Sequence, residues 1–374
     1  MGNVSGGWYC RPEARQWRTE PLTDDVGAFH REMAGYAATP LAEMPELARE
    51  LNVGRVFVKD ESQRFGMRAF KILGASYAIS RVLSARYGEG SRAAPLDRLA
   101  RHAASDPGLT LSAATDGNHG RAVARVAGLL GVHAEIFVPS SITSAAKQAI
   151  ASEGAEVIEL DLPYDDVVAQ AAERARSGGP GHIIVQDTSW DGYEEIPRWI
   201  VDGYSTLFHE VDLQLAEAGV RAADLVTAPS GVGALAQAAV RHYRCGAQAP
   251  VVLTVEPDHA PALLTSLLAG QPTSVQTQPT IMNGLNCGTP SPTAWPDIAA
   301  GVDAAVTVSD EAAAEAVTDL SALGVDAGPC GAASLAGVRA AFGDPARRES
   351  LNLSSDAALV LLSTESLAAN PIPA

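Results

Sequence analysis

Residues 55–79 read RVFVKDESQRFGMRAFKILGASYAI, and this stretch contains one complete unit of an alternating fold. The apolar run at 55–59 predicts a buried strand, and a polar, charged loop follows it. Beyond the loop, Phe70, Leu73 and Tyr77 recur at the spacing of one helix face. A strand, a loop and a helix in this order form the repeating unit of an α/β fold.

The same alternation continues along the rest of the chain. Further short runs predict strands at 111–114, 135–138, 156–160, 183–186, 225–228, 251–255 and 358–362. Most of them are continuously apolar, as expected for parallel strands that helices cover on both faces. Because so many strands exceed one sheet of usual size, the sequence predicts an α/β protein with two sheets.

The composition describes a large folded protein and excludes several classes of function. Of the 374 residues, 47% are hydrophobic and 19% charged, which suits about two domains and is too apolar for disorder. The formal net charge of −17 argues against a nucleic-acid partner, which requires a basic face. No apolar run approaches the roughly 18 residues of a membrane span, so no membrane association is predicted.

The first ten residues and the cysteines indicate the compartment. MGNVSGGWYC lacks the basic and apolar regions of a secretory signal. Cys10, Cys245, Cys287 and Cys330 are far apart and form no CxxC motif, so neither a metal site nor a redox pair is predicted. The simplest expectation is a reduced, cytoplasmic enzyme.

Lys71 lies in the helix of the opening stretch, on a face with little side-chain bulk. Gly74, Ala75 and Ala78 follow it at i+3, i+4 and i+7, so a flat cofactor would have room against this face. A lysine that forms a Schiff base must be able to lose its charge, and burial favours the neutral amine. The alternative is a surface lysine whose charged end reaches solvent, and composition alone favours it because lysine is rarely buried.

A glycine-rich loop follows the predicted strand at 225–228. Gly231 and Gly233, within APSGVGALA (228–236), precede a helix, and backbone amides at such a turn attract a phosphate. The alternative is a tight turn with close helix packing. The loop lacks the third glycine and downstream acid of a dinucleotide site, and it lacks the GK[ST] ending of a P-loop.

Two further turns carry acidic side chains next to predicted strands. TDGNHG (115–120) places Asp116 and Asn118 at a strand-to-helix turn, where either residue can also cap the helix. Asp187, within IIVQDTSWDGY (183–193), follows the carboxyl end of an apolar strand. Ligand sites of open α/β sheets form at such ends, although a plain turn residue is an equal alternative.

The last predicted strand ends in hydroxyl residues. Ser363 and Thr364 follow the apolar run 358–362, where a hydroxyl can face a ring nitrogen. Many strands end in Ser or Thr, so this feature has meaning only beside the others.

Taken in order, these blocks resemble the diaminopropionate ammonia-lyases, a family in the threonine-deaminase-like, fold type II group of pyridoxal-phosphate enzymes. The matching blocks span about residues 56–366 and are KDES-RFG-AFK-LG, ATDGNHGRAVA, VQDT-W-GYEEIP, the GVG loop, VEP, GLNCG and LLSTE. The TDGNHG and QDT-W-GYE blocks favour this family over the serine and threonine deaminases.

The resemblance implies a tryptophan synthase β-like fold with two open, twisted, mostly parallel sheets flanked by helices. It implies a large cofactor domain formed by residues 1–79 and 179–374, and a smaller domain inserted at 80–178. It also implies a homodimer with a small amino-acid substrate as its partner, and neither nucleic acid nor membrane.

The resemblance further implies the site residues and the reaction. Lys71 would hold pyridoxal 5′-phosphate as a Schiff base, and Asn118 would contact the ring hydroxyl. Ser363 or Thr364 would face the ring nitrogen. The other implied residues are the phosphate-binding Gly231, Val232, Gly233 and Ala234 and the catalytic Asp116 and Asp187. The implied reaction is α,β-elimination of 2,3-diaminopropionate to pyruvate and ammonia through an aminoacrylate intermediate.

Three positions depart from the family pattern on the substrate side: Arg68, Asn283 and Ser366, which stands where the family has glycine. Arg68 stands where the family usually has asparagine, and it either binds a substrate carboxylate or is an exposed loop residue. Asn283 replaces a small residue close to the predicted pocket. A serine or threonine dehydratase, or a β-replacement enzyme acting on a related β-substituted amino acid, is therefore the alternative. A catalytically inactive binding protein is disfavoured by the intact Lys71, Asp116 and Asp187.

Overall fold

The computed structural model describes residues 7–246 and 249–372. The described chain divides into two compact units. Unit 1 takes residues within Met1–Leu22, Ala38–Ala69 and Leu207–Ala374, and unit 2 comprises Thr23–Ala37 and Phe70–Thr206. The domain boundaries expected from the family resemblance, with 80–178 as the inserted domain, stay a prediction.

Strands of the described residues form two sheets. Their bounds are β1 Trp8–Cys10, β2 Leu41–Glu43, β3 Arg55–Asp60, β4 Thr110–Ala114, β5 His133–Pro139, β6 Glu156–Leu160, β7 His182–Ile184, β8 Leu225–Pro229, β9 Val251–Pro257, β10 Ala304–Val308 and β11 Ala358–Ser363.

Helices connect most of the strands. Their bounds are α1 Val26–Glu32, α2 Pro45–Leu51, α3 Ile72–Arg86, α4 Leu96–Ala103, α5 Asn118–Leu130, α6 Ser144–Ala151, α7 Tyr164–Ser177, α8 Glu195–Glu217, α9 Ala234–Arg244, α10 Ala262–Ala269, α11 Trp295–Gly301, α12 Asp310–Ala322, α13 Pro329–Phe342 and α14 Pro345–Leu351. Short 3-10 turns occur at Pro12–Gln16, Glu61–Gly66 and Asn283–Leu285. Across the described residues, every helix is too short or too polar to cross a membrane.

Unit 1 contains a seven-stranded sheet in the order β1-β10-β9-β8-β11-β3-β2. The outer strands β1 and β2 pair antiparallel with their neighbours, and the other pairs are parallel. Every residue of β8, β9, β10 and β11 is buried. Burial on both faces is the reason that these runs lack polar alternation.

Unit 2 contains a parallel four-stranded sheet in the order β6-β5-β4-β7. The two inner strands, β4 and β5, are buried beyond their first residues. The carboxyl ends of β4 and β7 lead into the turns that carry TDGNHG and QDTSW. Two predicted acidic turns thus start from neighbouring strands.

The predicted α/β class with two sheets is confirmed, and each strand predicted from an apolar run is present. The prediction missed β1, β2 and β10. The first two are outer strands of three residues, too short for a periodic pattern. The third reads AAVTV, and alanine is not typical of strands.

Two ionic side chains of the charged loop in the opening stretch, Glu61 and Arg64, are fully buried. Arg64 donates to both carboxylate oxygens of Glu210 at 2.7 Å and to Glu61 at 2.8 Å. Lys59 also donates to Glu210, at 2.7 Å. Buried charges persist when they are paired in this way, so the network holds the segment just before Lys71 in one conformation.

Candidate active site

Lys71 immediately precedes α3 and faces a buried acid. Its Nζ donates to Asp187 Oδ2 at 2.6 Å, and the two side chains are 21% and 7% exposed. The rings of Phe70 and Tyr204 lie beside the amine, with centroids 5.3 and 5.9 Å from Nζ. The amine is therefore reachable by a small molecule, yet it is largely enclosed.

The sequence contains only three lysines, Lys59, Lys71 and Lys147. Lys59 is fully buried and bonded to Glu210. Lys147 pairs at 2.8 Å with Glu159, which is half exposed. Lys71 alone combines an accessible amine with a buried acid, and this makes it the candidate for covalent chemistry.

The bare helix face beside Lys71 packs against α8. A Cβ placed on Gly74 would lie 2.6 Å from Tyr204 Cε1 and 2.7 Å from Ile200 Cγ2. A Cβ on Gly203 would lie 2.5 Å from the carbonyl oxygen of Leu73. The two glycines let α3 and α8 approach closely, so the expectation that a flat cofactor occupies this face is wrong.

Asp116 and Asp187 lie in one electrostatic cluster with Lys71, although their pKa values differ widely. Burial, together with the charges of Asp187 and Asp165, raises the pKa of Asp116 from 3.8 to about 7. Burial also acts to raise the pKa of Asp187, but the charge of Lys71 outweighs it and lowers that pKa to about 2. Asp116 is partly exposed to solvent, but its carboxyl group is surrounded by protein atoms. Carboxyl groups with separated pKa values can take different roles in proton transfer.

Thr115 caps the turn that carries Asp116 and Asn118. Its Oγ1 accepts hydrogen bonds from the Gly117 amide at 2.9 Å and the Gly120 amide at 3.0 Å. The interpretation of Asp116 or Asn118 as the helix cap is therefore wrong. Because Thr115 satisfies these amides, the Asp116 carboxyl is not needed for that purpose.

Gln186 and Tyr193 hold the turn that carries Asp187. The Tyr193 hydroxyl accepts a hydrogen bond from the Gln186 amide at 2.8 Å, and the Gln186 side chain accepts one from the Ala114 amide at 3.0 Å. Trp190 stacks on Tyr193 with ring centroids 4.1 Å apart. The residues of the motif at 186–193 therefore act together to fix the position of the Asp187 carboxylate.

The glycine loop of unit 1 joins β8 to α9, which begins at Ala234. The amides of Gly231, Val232 and Gly233 donate no hydrogen bond to another described residue. Gly233 has φ +99°, which favours glycine, and a Cβ on Gly231 would lie 2.9 Å from Cys287 Sγ. Unpaired amides before a helix are an anion site.

Ser363 ends β11 with its side chain in the core of unit 1. Its Oγ is buried and has no hydrogen-bond partner among the described residues. A Cβ on Gly331 would lie 3.1 Å from this oxygen, so a side chain there would crowd it. Thr364 is also buried. A buried hydroxyl without a partner is costly, and a ligand atom with a lone pair would satisfy it.

The two predicted substrate-binding residues, Arg68 and Asn283, form hydrogen bonds with the C-terminal part of the chain. Arg68 is exposed, has φ +64°, and its carbonyl accepts a hydrogen bond from the Ser366 amide at 2.9 Å. The Asn283 side chain donates to Asn370 Oδ1 at 2.9 Å. Asn283 thus has a structural partner, and a role for either residue in substrate binding stays a prediction.

The sequence motifs do not identify Tyr204 as a residue of the site, and they assign no role to His119. Tyr204 is fully buried on α8 and stacks obliquely on Phe70, with ring centroids 4.7 Å apart. His119 Nε2 donates to the Val185 carbonyl oxygen at 2.8 Å, and burial lowers the pKa of His119. No sequence pattern marks Tyr204, because its place beside Lys71 depends on how α8 crosses α3.

One group of potential metal ligands occurs within the described residues. His133, Glu135 and Glu156 bring ligand atoms within 4.8 Å of one another in unit 2. Glu135 is already bonded by Arg174 at 2.8 Å.

Comparisons with known proteins agree on one family. Residues 33–364 match the family model of pyridoxal-phosphate dependent enzymes. The diaminopropionate ammonia-lyase of Escherichia coli K12 is 37% identical over 349 residues, covering 90% of this chain and 86% of the relative. That of Salmonella typhimurium LT2 is 36% identical over 303 residues, covering 78% and 73%. The crystal structure of the E. coli enzyme with an aminoacrylate–PLP azomethine intermediate has a TM-score of 0.86 at 32% identity, covering 97% and 94%.

The residues of this chain fit that cofactor. Pyridoxal phosphate requires an amine for its aldehyde, donors for its phosphate and a partner for its ring nitrogen. The Lys71 amine, the unpaired amides of residues 231–233 and the unpartnered Ser363 hydroxyl are such groups. The chain belongs to the diaminopropionate ammonia-lyase family of pyridoxal-phosphate dependent enzymes.

Proposed function

We propose that this enzyme converts 2,3-diaminopropionate and water to pyruvate and two molecules of ammonia. One ammonia is released by α,β-elimination, and the other by hydrolysis of the 2-aminoacrylate that is set free. The observation that carries the proposal is the cluster of two carboxylates with separated pKa values around Lys71. A substrate with two cationic amines suits a site with two acidic groups. The choice of 2,3-diaminopropionate as the substrate rests on the related diaminopropionate ammonia-lyases.

Lys71 binds the cofactor covalently in this proposal, and the amides of residues 231–234 take its phosphate. Ser363, with Thr364 as its neighbour, faces the ring nitrogen, and Asn118 contacts the ring hydroxyl. The chemistry supplied by bound pyridoxal phosphate is an electron sink for the substrate carbon that loses its proton.

Asp116 is the base that takes the proton from the substrate Cα. A carboxylate with a pKa near 7 is a stronger base than an ordinary aspartate and is largely ionised just above neutral pH. Asp187 is a weaker base because its pKa is about 2, and its stable negative charge holds an ammonium group instead. That group is Lys71 or a substrate amine. The substrate β-ammonium leaves as ammonia with the electron pair of the broken C–N bond.

Replacement of Asp116 by asparagine should abolish the rise of turnover with increasing pH. In the wild type, turnover is expected to rise as the pH increases through about 7, because Asp116 must lose its proton to act as base. The variant should lose this rise and turn over about 10²–10⁴-fold more slowly. Steady-state pyruvate formation between pH 5.5 and 9 measures both effects. An unchanged profile would remove Asp116 from this role.

Replacement of Ser363 by alanine should weaken cofactor binding without destabilising the protein. The hydroxyl has no partner among the described residues, so its removal costs no hydrogen bond in the free protein. One lost bond to the ring nitrogen corresponds to about 3- to 10-fold in affinity. Fluorescence titration with pyridoxal phosphate and thermal denaturation of both proteins give the two numbers. A stability loss with unchanged affinity contradicts the assignment.

Pyruvate release tests the function directly. The purified enzyme with pyridoxal phosphate is supplied with 2,3-diaminopropionate, serine, threonine or O-acylserine, and pyruvate, 2-oxobutyrate and ammonia are quantified. We expect two ammonia per pyruvate from the diamine and the highest kcat/KM for it. No pyruvate from the diamine, with turnover of a hydroxy or acyloxy amino acid, would favour the dehydratase or β-replacement alternative.

The homodimer, the cytoplasmic location and the inserted domain at 80–178 belong to the same proposal and rest on the family resemblance. Light scattering of the purified protein measures the number of subunits.

A further inference from the structure

Two histidines and two glutamates lie together at one edge of the four-stranded sheet of unit 2. Three of them are the first residues of their strands, namely His133 of β5, Glu156 of β6 and His182 of β7. The fourth, Glu135, is the third residue of β5. We call these four residues the histidine–glutamate cluster. The acidic turns of the candidate active site follow the carboxyl ends of β4 and β7, so the cluster lies at the opposite edge of the sheet.

The register of the parallel strands brings the four side chains to one face of the sheet. His133 and Glu135 are two residues apart on one strand, so their side chains point the same way. Glu135 is the register partner of Glu156 on β6. His133 and His182 are both register partners of Thr110, on either side of β4.

The potential ligand atoms of the cluster lie close to the separations that a tetrahedral cation requires. Those of His133, Glu135 and Glu156 are all within 4.8 Å of one another. His133 Nε2 is 3.4 Å from Glu156 Oε2, and both side chains are at least half exposed, so they can adjust. His182 Nε2 is 3.7 Å from Glu135 Oε2. Zinc bonds of about 2.0–2.2 Å in a tetrahedron separate neighbouring ligands by about 3.3–3.6 Å.

His182 is the member of the cluster that most clearly points to a ligand. Its side chain is 6% exposed, and its Nε2 is buried without a hydrogen-bond partner among the described residues. A Cβ on Gly178 would lie 2.5 Å from His182 Nδ1, so the chain just after α7 packs against the ring and fixes its direction. Burial lowers the pKa of His182, which keeps the ring neutral at neutral pH. A neutral imidazole forms no ion pair with Glu135, and a cation between them would satisfy both groups.

Arg174 of α7 is a further charged group at the cluster, and it is compatible with a bound cation. Its guanidinium donates to Glu135 Oε1 at 2.8 Å and to Oε2 at 3.0 Å. An ionised carboxylate has about four lone-pair sites, so each oxygen can also bind a cation. Carboxylates that bind metals are commonly hydrogen-bonded by another residue, which fixes their direction. Two carboxylates outweigh one guanidinium, so the cluster attracts positive charge.

We propose that the histidine–glutamate cluster binds one divalent transition-metal cation, with zinc as the best-suited ion. Two imidazole nitrogens and two carboxylate oxygens are ligands that zinc accepts, whereas magnesium and calcium prefer oxygen alone. Four protein ligands are typical of a structural zinc site, in which no position is left for a substrate. The cation joins β5, β6 and β7 and stabilises the sheet at the edge remote from the candidate active site.

Zinc binding by the full-length holoenzyme tests the proposal. Isothermal titration calorimetry with Zn²⁺ is carried out on the wild type, His133→Ala, Glu156→Gln and His182→Phe, and the wild-type titration is repeated in excess Mg²⁺. His102→Ala is the matched control. His102 Nε2 also pairs with a glutamate of unit 2, Glu89, at 2.7 Å, but this pair belongs to no group of three potential ligands within the described residues.

We expect one zinc per chain in the wild type and in His102→Ala, and an affinity at least about 10- to 100-fold lower in each cluster variant. Excess Mg²⁺ should leave zinc binding unchanged. Zinc should also raise the melting temperature of the wild type, because it binds the folded state, and should raise it less in the cluster variants. His133 and Glu156 are at least half exposed, so their replacement should leave the fold and pyruvate formation intact.

A wild-type protein that binds no zinc would overturn the proposal. So would equal zinc affinity in the wild type, His133→Ala and Glu156→Gln, because the ion would then bind elsewhere, for example at the exposed Cys245. An unchanged affinity in His182→Phe would overturn the assignment of four ligands. None of these outcomes depends on the pyruvate assay, so the metal site and the proposed function are tested separately.

Discussion

Replacing Lys71 with alanine is expected to abolish the visible absorbance band of bound pyridoxal phosphate and to lower turnover by about 10³-fold or more. The variant has no amine to bond the aldehyde, and it also loses the cation that holds Asp187 at 2.6 Å. Because Lys71 lowers the pKa of Asp187, that carboxyl should titrate at a higher pH in the variant. Spectra and pyruvate assays measure the first two effects.

Borohydride reduction identifies the bonded lysine. The sequence contains three lysines, so peptide mapping of the reduced wild type distinguishes few sites. The tag is expected on Lys71. Lys147→Ala is the matched control, since Lys147 is bound by a surface ion pair with Glu159, and it should keep band and turnover. A tag on Lys59 or Lys147, or a band that survives in Lys71→Ala, would refute the assignment of the cofactor to Lys71.

Replacing Glu210 with glutamine is expected to destabilise the protein by about 3–5 kcal/mol. Glu210 accepts hydrogen bonds from Arg64 and Lys59, at 2.7 Å each, in the core of unit 1. In the variant, two buried cations share Glu61, so one positive charge is left uncompensated. Denaturant unfolding of wild type and variant gives the difference.

The exposed ion pair of Glu43 and Arg55 provides the control. Its distance of 2.6 Å is as short, but the side chains are 41% and 32% exposed. Glu43→Gln should therefore cost at most about 1 kcal/mol. Similar losses of unfolding free energy in both variants would show that burial does not increase the contribution of the Glu210 network to stability.

The contribution of Glu210 should also depend on pH with a defined sign. Burial acts to raise its pKa, but the hydrogen bonds and charge of Arg64 outweigh this and lower it from 4.5 to about 2. A carboxyl with a lowered pKa stabilises the folded state fully above its unfolded value. The difference between wild type and Glu210→Gln should thus be constant above about pH 5.5 and shrink as the pH falls from 4.5 toward 2.

Local sequence pattern was sufficient for the strands that carry the site. Apolar runs predicted β4, β7, β8 and β11, and the residues that follow them include Asp116, Asp187, Gly231 and Ser363. This success has a physical basis, because a strand buried on both faces must be apolar along its length. The ends of such strands are then the places where a polar residue can reach a ligand.

The same patterns did not predict the environment of residues whose packing partners are distant in the sequence. The glycine and alanine face beside Lys71 was expected to receive a cofactor, but Tyr204 and Ile200 of α8 cover Gly74. The loop after β3 was described only as polar and charged, but Arg64 in it is fully buried against Glu210. In both cases the partner lies more than a hundred residues away in the sequence.

The amino-acid sequence by itself determined the alternation of strands and helices, the choice of Lys71 and the positions of the loops that bear polar groups. These features depend on neighbouring residues, whose side chains share a helix face or a strand face at fixed spacing. Only the tertiary structure decided which groups meet at Lys71 Nζ, since Asp187 is 116 positions away. It also decided the separated pKa values of Asp116 and Asp187, because burial and charge depend on everything that packs around a group and not on its neighbours in the chain.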